Sequence, residues 1–199
     1  GAPRPPMPTR PCGRPGGHIL LKLDGSAQVQ HVLPRLATIE ALPGKAHIAV
    51  VVPLKLGHYF RARGYRRVHE LDWHESVQIG AITVPAYPGV HFSRRGLFDF
   101  NKELLVRFGI TAPGTRVFFS GDTAYGPFFK GIGARDGPFD IALVGIGAYE
   151  PRVMMKGSHT TPEEAVMLGR DLQARVVVGM HWGTVKLSDE DPLEPPVRF

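Results

Sequence analysis

Two histidines and one aspartate, each placed directly after a strand-like run, are the residues of this chain best suited to chemistry. Asp122 follows Val117-Phe118-Phe119 through a Ser120-Gly121 turn, which is how an α/β sheet offers a carboxylate at a strand's C-terminal edge. Alone, Ser-Gly-Asp-Thr is also ordinary turn chemistry. His91 stands between the Pro85–Val90 stretch and Ser93-Arg94-Arg95-Gly96, and His181 follows Val176-Val177-Val178-Gly179-Met180 and precedes Trp182-Gly183. Two imidazoles and a carboxylate from three strand ends form a metal-site pattern, the composition of a mononuclear catalytic zinc with room for water. Cys12 is the single cysteine, so disulfide staples and thiolate zinc sites are excluded, and any ion must be held by His and carboxylates.

These residues need a scaffold, and 199 residues with 43% hydrophobic content can supply one domain with a real core. No run approaches the roughly eighteen apolar residues of a spanning helix, and no charged-then-apolar leader opens the sequence. The expectation is a cytoplasmic protein, with peripheral membrane contact compatible and the oligomeric state open. The net charge of +6 allows attraction to anionic surfaces. No basic run interleaved with aromatics marks a nucleic-acid groove, so nucleic acid is not an expected partner. Residues 1–17 are rich in Pro, Arg and Gly without hydrophobic period and read as a disordered tail ahead of one domain over 18–199.

Within that domain His18–Leu23 reads as a strand and Ala27–Ala41 as a helix dented at Pro34. Ile48–Val52 is a β-branched run typical of a strand buried on both faces, and Pro53 starts a short amphipathic helix carrying Leu54, Leu56 and Phe60. Arg67–Leu71 and Val77–Val84 read as strands, Asn101–Phe108 as either a helix or a strand, and Pro127–Ile132 as a short helix before a strand over Asp140–Gly145. The clearest helix opens at Thr161-Pro162-Glu163-Glu164, where Thr161 can cap and Glu164 can close a capping box, with Ala165, Leu168 and Leu172 on one apolar face. The Val176 strand leads to His181, and Pro195-Pro196 ends the fold as a tail. The order is mixed α/β, with the polar candidates at the far ends of strands.

From about Val50 to Pro196 the chain resembles the metallo-β-lactamase superfamily, and within it the N-acyl-phosphatidylethanolamine-hydrolysing phospholipase D family. The resemblance rests on ordered blocks: Glu70-Leu71-Asp72-Trp73, His91-Phe92-Ser93-Arg94-Arg95-Gly96-Leu97-Phe98-Asp99, Phe118–Tyr125, Gly137–Asp140, Ile146–Arg152, Met155-Lys156, His159, Pro162–Ala165, and His181-Trp182-Gly183-Thr184 through Leu193–Pro196. It implies an αββα sandwich with a two-zinc site at its edge. By the same resemblance His91 binds one zinc, His181 the other, Asp122 bridges both, and His159 lies on the substrate side. A metal-activated water would then cleave a membrane phospholipid, N-acyl-phosphatidylethanolamine, to phosphatidic acid and an N-acylethanolamine. Arg94, Arg95 and Arg152 could pair with phosphate oxygens, and Phe92, Phe128, Phe129 and Tyr149 could line an acyl channel.

The family's His-x-His-x-Asp-His motif, which supplies two ligands to each zinc, is absent: Gly17-His18-Ile19-Leu20-Leu21-Lys22 stands in its place. The expectation is therefore a sandwich incomplete or diverged at its N-terminus, as a truncated or mis-spliced reading frame would give, with one zinc or none. Tyr87-Pro88-Gly89-Val90 reads as a short insertion before His91. His18 reads as a surface histidine rather than a replacement ligand. The alternative to a phosphodiesterase is an inactive relative that keeps the fold as a lipid-binding or interaction module.

Overall fold

The computed structural model describes residues 19–21, 40–42, 44–89, 105–183, 186 and 188–199. The expected 1–17 tail and residues 27–39 of the helix expected over Ala27–Ala41 lie outside them. Strand β1 (Ile19–Leu21) pairs in parallel with β2 (Ala49–Pro53), which pairs in parallel with β3 (Arg67–Leu71). As the central strand of this three-stranded sheet, β2 is buried at every residue, which is why its sequence runs apolar without alternation. Val50 and Val52 face Leu56, Phe60 and Tyr65 around helix α1 (Gly57–Arg61), while Val51 faces the second sheet. The helix begins at Gly57 rather than at Pro53, which closes β2, and Leu54 is left exposed.

The second sheet holds six strands in sequential order: β4 (Ser76–Ile79), β5 (Ile82–Pro88), β6 (Val106–Ala112), β7 (Thr115–Phe119), β8 (Ile141–Gly145) and β9 (Val176–Met180). The single strand expected over Val77–Val84 is a hairpin. Gly80, at φ 63°, turns the chain so that Ile79 pairs with Ile82, a left-handed position that glycine takes without strain. The region read as helix or strand at Asn101–Phe108 contributes β6 from Val106 onward. Pairing is antiparallel through β7 and parallel between β7, β8 and β9.

Four layers follow from which faces are apolar. Val51 and Leu71 of the first sheet meet Val84, Ala86, Val106 and Phe108 of the second. On the second sheet's other face, Tyr87, Phe118, Ala142 and Val144 pack against helix α2 (Phe128–Asp136) and helix α4 (Pro162–Asp171). Between β8 and α4 lies a single helical turn, α3 (Arg152–Met155). The chain reads helix, sheet, sheet, helices, the αββα sandwich expected from its sequence. The capping box at Thr161 and Glu164 is formed, and Ala165, Leu168 and Leu172 are fully buried. The Pro195-Pro196 segment forms a last turn, α5 (Pro195–Arg198), instead of a tail, with Arg198 paired to Glu163 at the start of α4. No helix among the described residues is long and apolar enough to cross a membrane.

Phe118 is the hub of the helix-side core, its ring 5.6 Å from those of Tyr87 and Phe139 and 6.1 Å from that of Phe129. Replacing it by alanine removes these contacts and leaves a cavity, at a cost of about 3–5 kcal/mol. Phe118→Ala is expected to lower the urea midpoint strongly without changing the transition's slope, measured by equilibrium unfolding.

Candidate active site

Three parallel neighbours, β7, β8 and β9, end at one edge, and the candidate residues sit just beyond them. Pairing continues one residue past the strands: the Ser120 amide donates to Leu143 O at 2.9 Å, and the Ile146 amide to Met180 O at 2.9 Å. Buried hydroxyls tie these ends together. Ser120 Oγ accepts from the Gly145 amide at 3.2 Å and donates to Gly121 O at 2.6 Å, while Thr160 Oγ1 donates to Gly145 O at 2.6 Å. A buried loop carries backbone groups that must be satisfied, and these two side chains do it.

Asp122 leaves β7 through Gly121, whose φ of 56° makes the sharp turn. Its carbonyl accepts from Arg107, a fully buried arginine on β6. His181 leaves β9 with a φ of 63°, a left-handed conformation that costs a non-glycine residue about 1–2 kcal/mol. Gly147 lies under it: a Cβ there would collide with His181 O, so only glycine lets the two backbones approach. The outcome is a close pair, His181 Nε2 standing 3.3 Å from Asp122 Oδ1, both side chains mostly buried.

His159 joins from the loop before α4, its ring stacked on that of His181 with centroids 5.3 Å apart and 27° between planes. Its carbonyl accepts from Arg152 Nη1 at 2.8 Å, and Arg152 Nη2 holds both carboxylate oxygens of Glu164 at 2.6 Å. Arg152, expected to be available to phosphate, is thus committed to anchoring the His159 loop. His181 also lines an open cleft of about 300 Å³, solvent at its mouth included, together with Gly147, Ala148, Trp182, Lys186 and Glu190 among others. Glu190 accepts from the amides of Ala148 at 2.6 Å and Glu150 at 3.0 Å and from Ser188 Oγ at 2.7 Å. Burial opposes its ionisation, but these donors outweigh it and hold the carboxyl below its ordinary range.

Of the residues expected at the site, Asp122, His159 and His181 come together, while His91 and Arg94 lie outside the described residues. Tyr149 does not line a channel: it is fully buried, with the Arg198 guanidinium 4.8 Å above its ring. Phe129 is likewise core, and Phe128 packs against that core. Sequence reasoning missed Arg107 and Glu190. The one signal for Arg107 was a charge interrupting the apolar run Leu104-Leu105-Val106-Arg107-Phe108; Glu190 had none, since the amides it holds are 42 and 40 positions away and its near partner Ser188 is ordinary turn chemistry.

The donor set can be tested for a metal by distance. Two ligand atoms sharing a tetrahedral ion, each about 2.0–2.2 Å from it, stand about 3.4 Å apart, and the His181–Asp122 separation of 3.3 Å meets this. Among the described residues His181 Nδ1 is buried and has no hydrogen-bond partner, and the ring is oriented by stacking on His159 and by its backbone. No group of three His, Cys, Asp or Glu able to hold an ion occurs among the described residues. The pair fits two places of such a shell, with His91 as the sequence candidate for another.

A four-layer sandwich with an Asp–His pair at the C-terminal edge of its parallel strands is the frame of the metallo-β-lactamase fold. The chain belongs to the metallo-β-lactamase superfamily, residues 26–182 matching the family model described as a beta-lactamase superfamily domain, and within it to the N-acyl-phosphatidylethanolamine-hydrolysing phospholipase D-like family. It is 39% identical over 155 residues to N-acyl-phosphatidylethanolamine-hydrolyzing phospholipase D 1 of Caenorhabditis elegans, covering 72% of this chain and 44% of that protein. It is 36% identical over 171 residues to the mitochondrial N-acyl-phosphatidylethanolamine-hydrolyzing phospholipase D of Saccharomyces cerevisiae, covering 82% of this chain and 36% of that one. The chain therefore spans less than half the length of these relatives. Among solved structures, Igni18 of Ignicoccus hospitalis, described as a novel metallo hydrolase, superposes with a TM-score of 0.65 over 89% of this chain and 69% of that one. At 19% identity this likeness bears on the fold alone.

Two predictions follow from the loop anchors. Arg152→Ala removes the bond to His159 O and the pair with Glu164, and amide hydrogen exchange at residues 157–160 is expected to accelerate about ten-fold or more. Because the folded state lowers the Glu190 pKa from 4.5, its clasp is fully present above that unfolded value and is lost as pH falls through the lower folded one. Wild type is expected to exceed Glu190→Gln in thermal stability by about 1–3 kcal/mol at neutral pH, with the gap closing in acid.

Proposed function

We propose that this chain acts as a metal-dependent phosphodiesterase of phospholipase D type, cleaving N-acyl-phosphatidylethanolamine to phosphatidic acid and an N-acylethanolamine. The observation that carries this reading is the 3.3 Å approach of His181 Nε2 to Asp122 Oδ1, in a chain related to proteins named for that reaction. The proposed ion is zinc, which suits a ligand set of imidazole and carboxylate. Asp122 and His181 would hold it together with His91; one ion is the minimum this set supports, and two is the number the resemblance implies. When bound, such an ion supplies Lewis acidity, activating water and stabilising charge on the departing oxygen.

The chain's own residues do the rest. Asp122 presents a carboxylate from a turn pinned by Arg107. His159, its ring beside that of His181, touches the substrate and delivers a proton to the oxygen of the departing N-acylethanolamine as the phosphorus–oxygen bond breaks. Arg94 is the proposed partner of the phosphate oxygens, since a guanidinium fork matches two of them.

Zinc content and release of N-acylethanolamine from micellar substrate test this. Purified wild type is expected to bind zinc and turn over, and His181→Ala to lose the metal and about a hundred-fold or more in turnover. Turnover unchanged in His181→Ala would refute the reading. Wild type that binds the lipid without zinc and without turnover would instead make the chain a non-catalytic relative.

A further inference from the structure

The helical turn α3 presents an unusual surface. Arg152 and Met155 are partly buried, and between them Val153 and Met154 are 92% and 74% exposed. In one helical turn the first and last residues share a face, and the two middle side chains are turned away from it. Two bulky apolar residues held this far into solvent, side by side, are a feature that asks for a function. They sit on a braced element, since Met155 O accepts from the amides of Ser158 and His159 at 2.9 Å and Arg152 is clamped to Glu164. The turn is already ordered before it meets a partner, so docking pays little conformational entropy.

Its charge selects the partner. Arg152 is neutralised by Glu164, which leaves Lys156, exposed just beyond the apolar pair, as the cation beside it, and no acid lies between Pro151 and Thr161. An apolar tip with a cation at its shoulder matches an anionic lipid surface, where methylenes enter the acyl boundary and the ammonium stays among the headgroups. A substrate of the kind proposed above supplies that charge itself, because acylation of its amine leaves the phosphodiester negative. The tip also leads to the chemistry: five residues beyond Met154, the His159 ring stacks on His181.

We propose that Val153 and Met154 form a membrane-docking tip that inserts into an anionic phospholipid surface and brings a lipid headgroup to His159. The inference deepens the phosphodiesterase reading and rests on it for the identity of the lipid, but its test needs no turnover.

Wild type and Val153→Glu/Met154→Glu, both checked for an unchanged thermal transition, are sedimented with vesicles of equimolar phosphatidylcholine and phosphatidylglycerol. Wild type is expected to pellet, and the double variant to partition about ten-fold or more weakly. In Met154→Trp, the introduced indole is expected to be quenched by lipids brominated on their acyl chains, beyond the quenching of wild type. A double variant that pellets like wild type, or an indole at 154 that brominated lipid leaves unquenched, overturns the proposal. So does concentration-dependent self-association abolished by the double variant in the absence of vesicles, which would assign the tip to a second copy of the chain. Loss of turnover on micelles with vesicle docking intact would sink the phosphodiesterase reading and leave the tip standing.

Discussion

The parallel ladder joining β7, β8 and β9 is the constraint on which the site depends. Because the three strands run the same way and Phe119 pairs with Leu143 while Gly145 pairs with Met180, Asp122 and His181 emerge from one edge at matched heights. A strand advances about 3.3 Å per residue, so a slip of one position would shift one candidate ligand past the other by as much as now separates them. The aromatic core around Phe118 enforces the register, since a slip would also turn its ring to the opposite face.

Beyond the strands, the loops are built from small residues and buried hydroxyls. Ser120 and Thr160 satisfy backbone groups that water cannot reach, and Gly147 allows the chain at His181 to pass directly over it. The left-handed backbone at His181 persists because its surroundings over-determine it. Backbone strain of this kind concentrates where a side chain must be aimed rather than merely accommodated.

Glu164 links the stability of a helix to the geometry of the site. Its carboxylate accepts from the Thr161 amide, closing the capping box, and accepts both bonds of Arg152. Arg152 in turn holds the carbonyl of His159. A single charge thus starts α4, fixes the loop that carries the second imidazole, and braces the turn that exposes Val153 and Met154. Arg198 adds a further tie, binding Glu163 at the start of α4 while lying over the buried Tyr149 ring.

Local sequence determined whatever depends on near neighbours. The unbroken apolar run of β2, the Thr161 capping box and the apolar face of α4 were readable because backbone periodicity and capping act over a few residues. Asp122 and His181 were readable as strand-end residues, and the ordered family blocks pointed to their common purpose. Contacts between distant segments were decided by tertiary structure alone. The split of Val77–Val84 at Gly80, the burial of Tyr149 beneath Arg198, and the commitment of Arg152 to Glu164 each depend on what packs nearby. Arg107 and Glu190 serve the site through backbone groups, and every residue offers the same amide and carbonyl. A sequence shows which side chains can form hydrogen bonds, but only the fold shows which backbone groups will be buried and in need of them.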